Sequence, residues 1–177
     1  VGAVQDDISK SFTARCPLVA RIGWLMAVAR VLRVPILTTA EDMADLGPLV
    51  AELLSELPPH ALPTFDKSAF GLAGQKAIWS AVESSGRRQV VLTGLETDVC
   101  VSQSALGLVS RGLDVYVVED CCSSPGPAHQ SGIRRMRDAG VAVLSLKALY
   151  YEWVRTTQTH RRVRDALGRG SPPGLVL

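Results

Sequence analysis

The chain alternates short apolar runs with longer segments of helical periodicity, and this alternation constrains its fold more than any other feature. Three runs in the second half are almost continuously apolar, as expected for parallel strands that are covered on both faces. Residues 18–32 carry apolar side chains three and four positions apart, which predicts one buried helical face. The alternation predicts a three-layer α/β/α domain with a mostly parallel six-stranded sheet in the order 3-2-1-4-5-6. The predicted strands lie at residues 1–4, 34–38, 62–65, 89–93, 115–118 and 141–144.

Length and composition fit one globular domain. The chain has 177 residues, and domains usually run about 100–200. Its 47% hydrophobic and 20% charged residues exclude a disordered or collagen-like chain. A formal net charge of +2 gives no sign of a nucleic-acid partner. We expect the domain to cover residues 1–155, followed by a basic tail at residues 156–177 that is partly helical and frayed.

Cysteine usage and hydropathy predict a cytoplasmic protein without a membrane partner. No apolar run reaches the roughly 18 residues of a membrane span, and the first residues lack the pattern of a signal peptide. The spacing of the cysteines fits neither a zinc site nor a secreted disulfide framework, which favours a reducing compartment. The four cysteines are Cys16, Cys100, Cys121 and Cys122.

Reactive side chains follow three of the predicted strands, at the edge where open parallel sheets bind ligands. Asp6 and Asp7 follow the first strand, Lys67 the third and Cys100 the fourth. Cys100 also begins a predicted helix, whose positive end favours a thiolate, although a buried core thiol is the alternative. For Lys67 the alternative is a solvated surface lysine, and for Asp7 it is a helix cap. An acid, a base and a thiol are therefore expected in one crevice.

Residues 94–101 read Gly-Leu-Glu-Thr-Asp-Val-Cys-Val, and this segment resembles the isochorismatase-like cysteine hydrolase superfamily. That superfamily includes nicotinamidases and N-carbamoylsarcosine amidase. Residues 111–120 resemble the family's next turn and strand, and residues 120–124 and 135–140 resemble its isochorismatase-domain branch. The similarity covers about residues 1–154 and is strongest in the second half.

The resemblance implies a hydrolase that cleaves a C–N bond in a small amide or carbamoyl compound, with a triad of Asp7, Lys67 and Cys100. Asp7 takes the thiol proton as general base, Cys100 attacks the carbonyl carbon to form an acyl-enzyme, and Lys67 stabilises the thiolate. The register of the carboxylate is open, because Asp6 is one place away. Phe12, at the family's aromatic position, favours Asp7.

The turn before the cysteine is expected to stabilise the oxyanion that forms in the reaction. The resemblance implies a cis peptide bond between Leu95 and Glu96. That bond aims the backbone N–H groups of Glu96 and Cys100 at the oxyanion.

No metal and no cofactor are expected. The metal-binding Asp-x-His-x-x-His pattern of nicotinamidases is missing, since residues 38–43 read Thr-Thr-Ala-Glu-Asp-Met. The three histidines, His60, His129 and His160, are scattered and expected to be solvent-exposed.

Two other functions stay open. Residues 7–9 read Asp-Ile-Ser where the family usually has Asp-x-Gln, which fits a catalytically impaired member that binds a metabolite or a partner protein. A vinyl-ether substrate of the isochorismate type is the other alternative, and Cys100 argues against it. We also expect a homo-oligomer of two or more subunits. Its interface is predicted at the apolar residues Leu149, Tyr150, Trp153 and Val154 of the final helix.

Overall fold

A computed structural model describes residue 5 and residues 15–168, 170–172 and 174–177, with the side chains of residues 15 and 16 left undescribed. The chain is an α/β protein in which helices and parallel strands alternate, as predicted. The helices are α1 (Arg15–Val31), α2 (Met43–Leu46), α3 (Ala51–Leu54), α4 (Lys76–Ser84), α5 (Ser102–Val109), α6 (Ala128–Asp138), α7 (Leu146–Val154) and α8 (Thr157–Leu167). The strands are β1 (Thr39–Glu41), β2 (Phe65–Lys67), β3 (Gln89–Leu95), β4 (Asp114–Ser123) and β5 (Ala142–Leu144).

The strands form two parallel sheets within the described residues, one of β1 and β2 and one in the order β3-β4-β5. These neighbours agree with the outer parts of the predicted order, in which strand 2 lies beside strand 3 and strands 4, 5 and 6 follow one another. The predicted first strand at residues 1–4, which would join the two halves, lies outside the described residues. Five strands are therefore described, and the six-stranded order stays a prediction.

Strands β1 and β2 lie further along the chain than predicted. The parallel ladder pairs Thr39 with Phe65 and continues to Glu41 and Lys67. Residues 34–38 and 62–65 each contain a proline, which has no backbone N–H to give to a ladder. Backbone pairing therefore begins after both prolines, and the two strands end at the charged residues Glu41 and Lys67.

Helices cover both faces of the β3-β4-β5 sheet, because successive side chains of a strand point to opposite faces. Val118 packs in a cluster with helices α1, α3, α7 and α8. Its neighbour Val117 packs in a second cluster with α4, α5 and α6. The structure thus has the predicted three layers around this sheet.

The final helix of the predicted domain is an interior element. Leu149, Tyr150 and Val154 are buried in the same cluster as α1, so the surface predicted for self-association lies inside the monomer. Helix α8, within the predicted tail, begins at the N-cap Thr156 and buries Val163 in that cluster. The sequence pattern predicts the apolar face of α7 correctly. It does not show that helices α1 and α8 of the same chain cover this face. No helix of the described residues is both long and apolar enough to span a bilayer.

Candidate active site

Three side chains from separate parts of the chain meet at the carboxyl ends of the strands. Glu41 ends β1 and Lys67 ends β2, and the ladder sets these two residues opposite each other. Cys100 lies in a π-helical turn (Thr97–Val101) that follows β3. Glu41 Oε2 lies 2.7 Å from Lys67 Nζ and 3.0 Å from Cys100 Sγ, and Lys67 Nζ lies 3.5 Å from Cys100 Sγ.

The structure thus brings together two of the predicted site residues, Lys67 and Cys100, and adds Glu41. Asp6 and Asp7, the predicted alternatives for the catalytic carboxylate, lie outside the described residues. Sequence reasoning missed Glu41, although it ends a strand beside the expected crevice. The predicted strand ends at residue 38, three residues before the end of β1, so the sequence pattern leaves Glu41 in a loop.

Lys67 is a buried cation and not a solvated surface lysine. Its exposed fraction is 2%, and a buried charge needs a partner of opposite sign. Glu41 supplies that partner. Burial raises the pKa of Glu41, but the hydrogen bonds from Cys100 and Lys67 and the lysine charge outweigh it and hold the pKa below its usual value.

Cys100 is a neutral thiol in this arrangement. Burial, followed by its hydrogen bond to Glu41, raises its pKa to about 11, and the charge of Lys67 offsets only part of this. The helix end and the ammonium favour a thiolate, but desolvation and the facing carboxylate outweigh them. The thiol instead donates its proton in a hydrogen bond to Glu41 Oε2.

The turn that carries Cys100 begins with a cis peptide bond between Leu95 and Glu96, the isomer expected there. The carbonyl oxygen of Glu96 accepts hydrogen bonds from the N–H groups of Val99 and Val101, at 3.3 and 3.0 Å. The predicted oxyanion donors, Glu96 N–H and Cys100 N–H, belong to this turn. Their role stays a prediction.

Helix α6 supports the turn from one side. A β-carbon on Gly132 would lie 2.7 Å from the Asp98 Cα, so only a glycine permits this approach. In the same helix, His129 Nδ1 lies 2.8 Å from Thr97 Oγ1. Before the helix, Ser124 Oγ donates to Asp98 Oδ1 at 2.6 Å. The position of Cys100 is thus fixed by packing and by side-chain hydrogen bonds.

The histidines are less exposed than expected. His129 is partly buried against the turn, and His160 is partly buried with its Nδ1 2.8 Å from the Tyr150 hydroxyl. His60 alone of the three is exposed. The described residues contain no group of three or more His, Cys, Asp or Glu side chains placed to hold a metal ion.

A small cavity of about 10 Å³ adjoins Cys100 and Lys67. Thr39 and Thr93 also line it, and both side chains are buried. Within the described part of the chain, neither hydroxyl has a hydrogen-bond partner. A volume of this size holds about one water molecule or one small substituent beside the sulfur.

Glu96 interacts with two other acidic groups near the thiol. Burial, then the charges of Asp98 and Glu41, raises the pKa of Glu96 above its usual value. Lys67 balances part of this negative charge at the thiol.

Known proteins match most of this chain in sequence and in fold. The family model for the isochorismatase domain matches residues 4–148. Isochorismatase domain-containing protein 2A of Mus musculus is 36% identical over 158 residues, which cover 86% of this chain and 72% of that protein.

Two solved structures show the same fold. The MAR1 ribonuclease of Caenorhabditis elegans has a TM-score of 0.87 at 25% identity, with 99% of this chain and 92% of that one covered. The YcaC gene product of Escherichia coli, described as an octameric hydrolase of unknown specificity, has a TM-score of 0.75 at 24% identity, with 84% and 76% covered. The match over most of the sequence, together with the shared fold, establishes that the chain belongs to the isochorismatase-domain family.

Proposed function

We propose that this hydrolase cleaves the C–N bond of a small amide or carbamoyl compound, with Cys100 as its nucleophile. The contact of the Cys100 thiol with Glu41 and Lys67 carries the proposal. A neutral thiol that donates to a carboxylate is the arrangement in which attack and proton removal occur together. Lys67, buried beside both groups, stabilises the negative charge that develops on sulfur.

The reaction runs in two halves. The sulfur of Cys100 attacks the carbonyl carbon while a carboxylate takes its proton, and the carbonyl electron pair moves to the oxygen. The tetrahedral intermediate collapses, the carboxyl group returns the proton to the leaving nitrogen, and the amine departs from a thioester. Water then attacks the thioester with help from the same carboxylate, and the acid and the free thiol are released.

The resemblance assigns the proton transfer to Asp7 and the oxyanion to the N–H groups of Glu96 and Cys100. The N–H groups lie in the turn before α5, which favours them as donors. The cavity beside the sulfur gives the reacting group access to the thiol, because Cys100 lines it.

A screen of small primary amides and ureido compounds tests the proposal, with released ammonia as the readout. Wild-type protein should turn over at least one compound, and Cys100→Ala should abolish that turnover while binding stays nearly intact. A mass increase equal to the acyl group, confined to the Cys100 peptide, identifies the thioester. Cys121→Ala removes a buried thiol elsewhere and is the matched control. Undiminished turnover by Cys100→Ala would refute the proposal.

We further propose that the protein is a homo-oligomer of the cytoplasm. The octameric neighbour supports self-association, although the expected patch on α7 does not. Light scattering at tens of micromolar tests self-association, and the mass of a monomer would contradict it.

A further inference from the structure

We propose that the cavity beside Cys100 binds one water molecule, which the hydroxyl groups of Thr39 and Thr93 hold, and that this water donates a hydrogen bond to the sulfur when the sulfur carries negative charge. The proposal concerns the thiol alone and not the group that the thiol attacks. It therefore holds for any substrate, and a failure of the amide screen would leave it intact.

Two buried hydroxyl groups at this cavity have no hydrogen-bond partner among the residues that the structure describes. The exposed fractions of Thr39 and Thr93 are 0% and 2%, and both residues line the cavity. A buried hydroxyl without a partner costs free energy, and a valine would fill nearly the same space without that cost. The two hydroxyls therefore indicate a polar ligand in the space that they share.

The cavity has the size and the polar groups that one water molecule needs. Its volume of about 10 Å³ corresponds to about one water. Ser104 of α5 adds a third hydroxyl to the lining, and its Oγ accepts the N–H of Leu72 at 3.2 Å, which leaves its own hydrogen to donate to the water. Buried waters make about three hydrogen bonds, and three hydroxyls supply them. A single water is therefore the ligand that fits.

The two threonines come from strands of different sheets, and both strands lead to the nucleophile. Thr39 begins β1, and Thr93 lies in β3 shortly before the turn that contains Cys100. The pairing of β3 with β4 is irregular at Thr93, because the register shifts between Leu92 and Gly94. Irregular pairing of this kind is common beside active sites, where it redirects a side chain. The water thus joins the two sheets next to the sulfur.

The bound water acts on the charge of the sulfur. Burial raises the pKa of the Cys100 thiol, because the thiolate loses its solvent. A water molecule has two hydrogens to donate, so one remains for the sulfur when the other binds a hydroxyl oxygen. This hydrogen bond offsets part of the cost of burial. Loss of the water should therefore leave less thiolate at a given pH.

Thr39→Val and Thr93→Val test the site, because each removes a hydroxyl and keeps the shape of the side chain. The rate of Cys100 alkylation by iodoacetamide at about pH 9 should fall by about threefold in each variant, which corresponds to a rise of about half a unit in the pKa. Both hydroxyls hold the same water, so the double variant should fall no further than the slower single variant. The charged groups that face the sulfur, Glu41 and Lys67, are unchanged in all of them.

Thr38→Val is the matched control for a buried threonine of the same segment. Thr38 is buried, and its hydroxyl lies 2.9 Å from the hydroxyl of Thr64, away from the cavity. Its substitution should lower the stability of the fold and leave the alkylation rate unchanged. Thr39→Ser and Thr93→Ser keep the hydroxyl and should be alkylated at the rate of the wild type.

Stability separates a hydrated cavity from a dry one. With a bound water, Thr93→Val loses a hydrogen bond and should lower the urea midpoint of unfolding. In a dry cavity the same change removes an unpartnered hydroxyl and raises the midpoint. A high-resolution crystal structure of the wild-type protein should show one ordered water within hydrogen-bond distance of both hydroxyls, and it decides even if the variants do not fold. An empty cavity in that structure, or a raised midpoint with unchanged alkylation in the valine variants, would overturn the proposal.

Discussion

Gly132 of α6 and Asp98 of the nucleophile turn approach so closely that any β-carbon on the glycine would lie 2.7 Å from the Asp98 Cα and 2.8 Å from its nitrogen. The neighbouring atoms are backbone, so they cannot rotate away as a flexible side chain would. The packing of helix α6 therefore fixes the position of the turn that contains Cys100.

Gly132→Ala should reduce turnover by about tenfold or more, because a shift of the turn misplaces the sulfur. Overpacking should also lower the free energy of unfolding by about 1–3 kcal/mol. Gly23→Ala in α1 is the control, since its β-carbon would meet Leu53 Cδ2 at an ordinary 3.6 Å. Denaturant unfolding and the ammonia assay measure both effects. Unchanged kinetics in Gly132→Ala would show that the turn adjusts freely.

Lys67→Met should raise the pKa of Cys100 above its value of about 11, because the lysine charge lowers it in the wild type. The iodoacetamide profile should therefore move to higher pH. Lys76→Met, at the exposed start of α4, should leave the profile unchanged. Superimposable profiles for Lys67→Met and wild type would mean that the ammonium does not act on the sulfur.

Cys100 should be alkylated before Cys121 and Cys122, and faster as pH rises towards 11. Cys121 and Cys122 are buried, and burial raises the pKa of both, that of Cys122 to about 12. Cys100 is partly exposed and reaches reagent first. Peptide mapping by mass spectrometry after timed iodoacetamide treatment gives the order. Earlier labelling of either buried cysteine would contradict it.

Acid should weaken the fold through Glu41. Its pKa is lower in the folded state than in the unfolded chain, so it stabilises the fold above pH 4.5 and loses that contribution as pH falls through the folded pKa. Wild type should therefore lose more stability than Glu41→Gln between about pH 6 and pH 3. Urea unfolding across this range, with Glu83→Gln as a surface control, measures the difference. Parallel curves for wild type and Glu41→Gln would contradict it.

Sequence patterns located Cys100 and Lys67 because both residues follow apolar strands, and such strands end at the ligand-binding edge of a parallel sheet. Glu41 was missed because apolar runs show where a strand is buried and not where its ladder begins. The ladder begins after Pro35 and Pro63, so β1 ends three residues later and β2 two residues later than predicted. Only the pairing reveals that Glu41 faces Lys67.

The state of the thiol could not be predicted for a related reason. A helix end and a lysine are visible in the sequence, whereas the desolvation of Cys100 depends on distant residues that close around it. The same holds for α7, whose apolar face was read correctly and is covered by α1 and α8. The sequence pattern thus indicates which residues are reactive or apolar, whereas their burial depends on the tertiary packing.

The contacts of Glu41 with Lys67 and Cys100 should also lower the rate at which oxidants attack the Cys100 sulfur. Peroxide attacks thiolates, and a thiol whose pKa is raised to about 11 stays protonated at neutral pH. A cysteine beside a buried lysine alone would be a ready target for conversion to sulfenic acid. Because the thiol keeps its proton in a hydrogen bond to the carboxylate, Cys100 should survive oxidative conditions that inactivate enzymes with a resting thiolate.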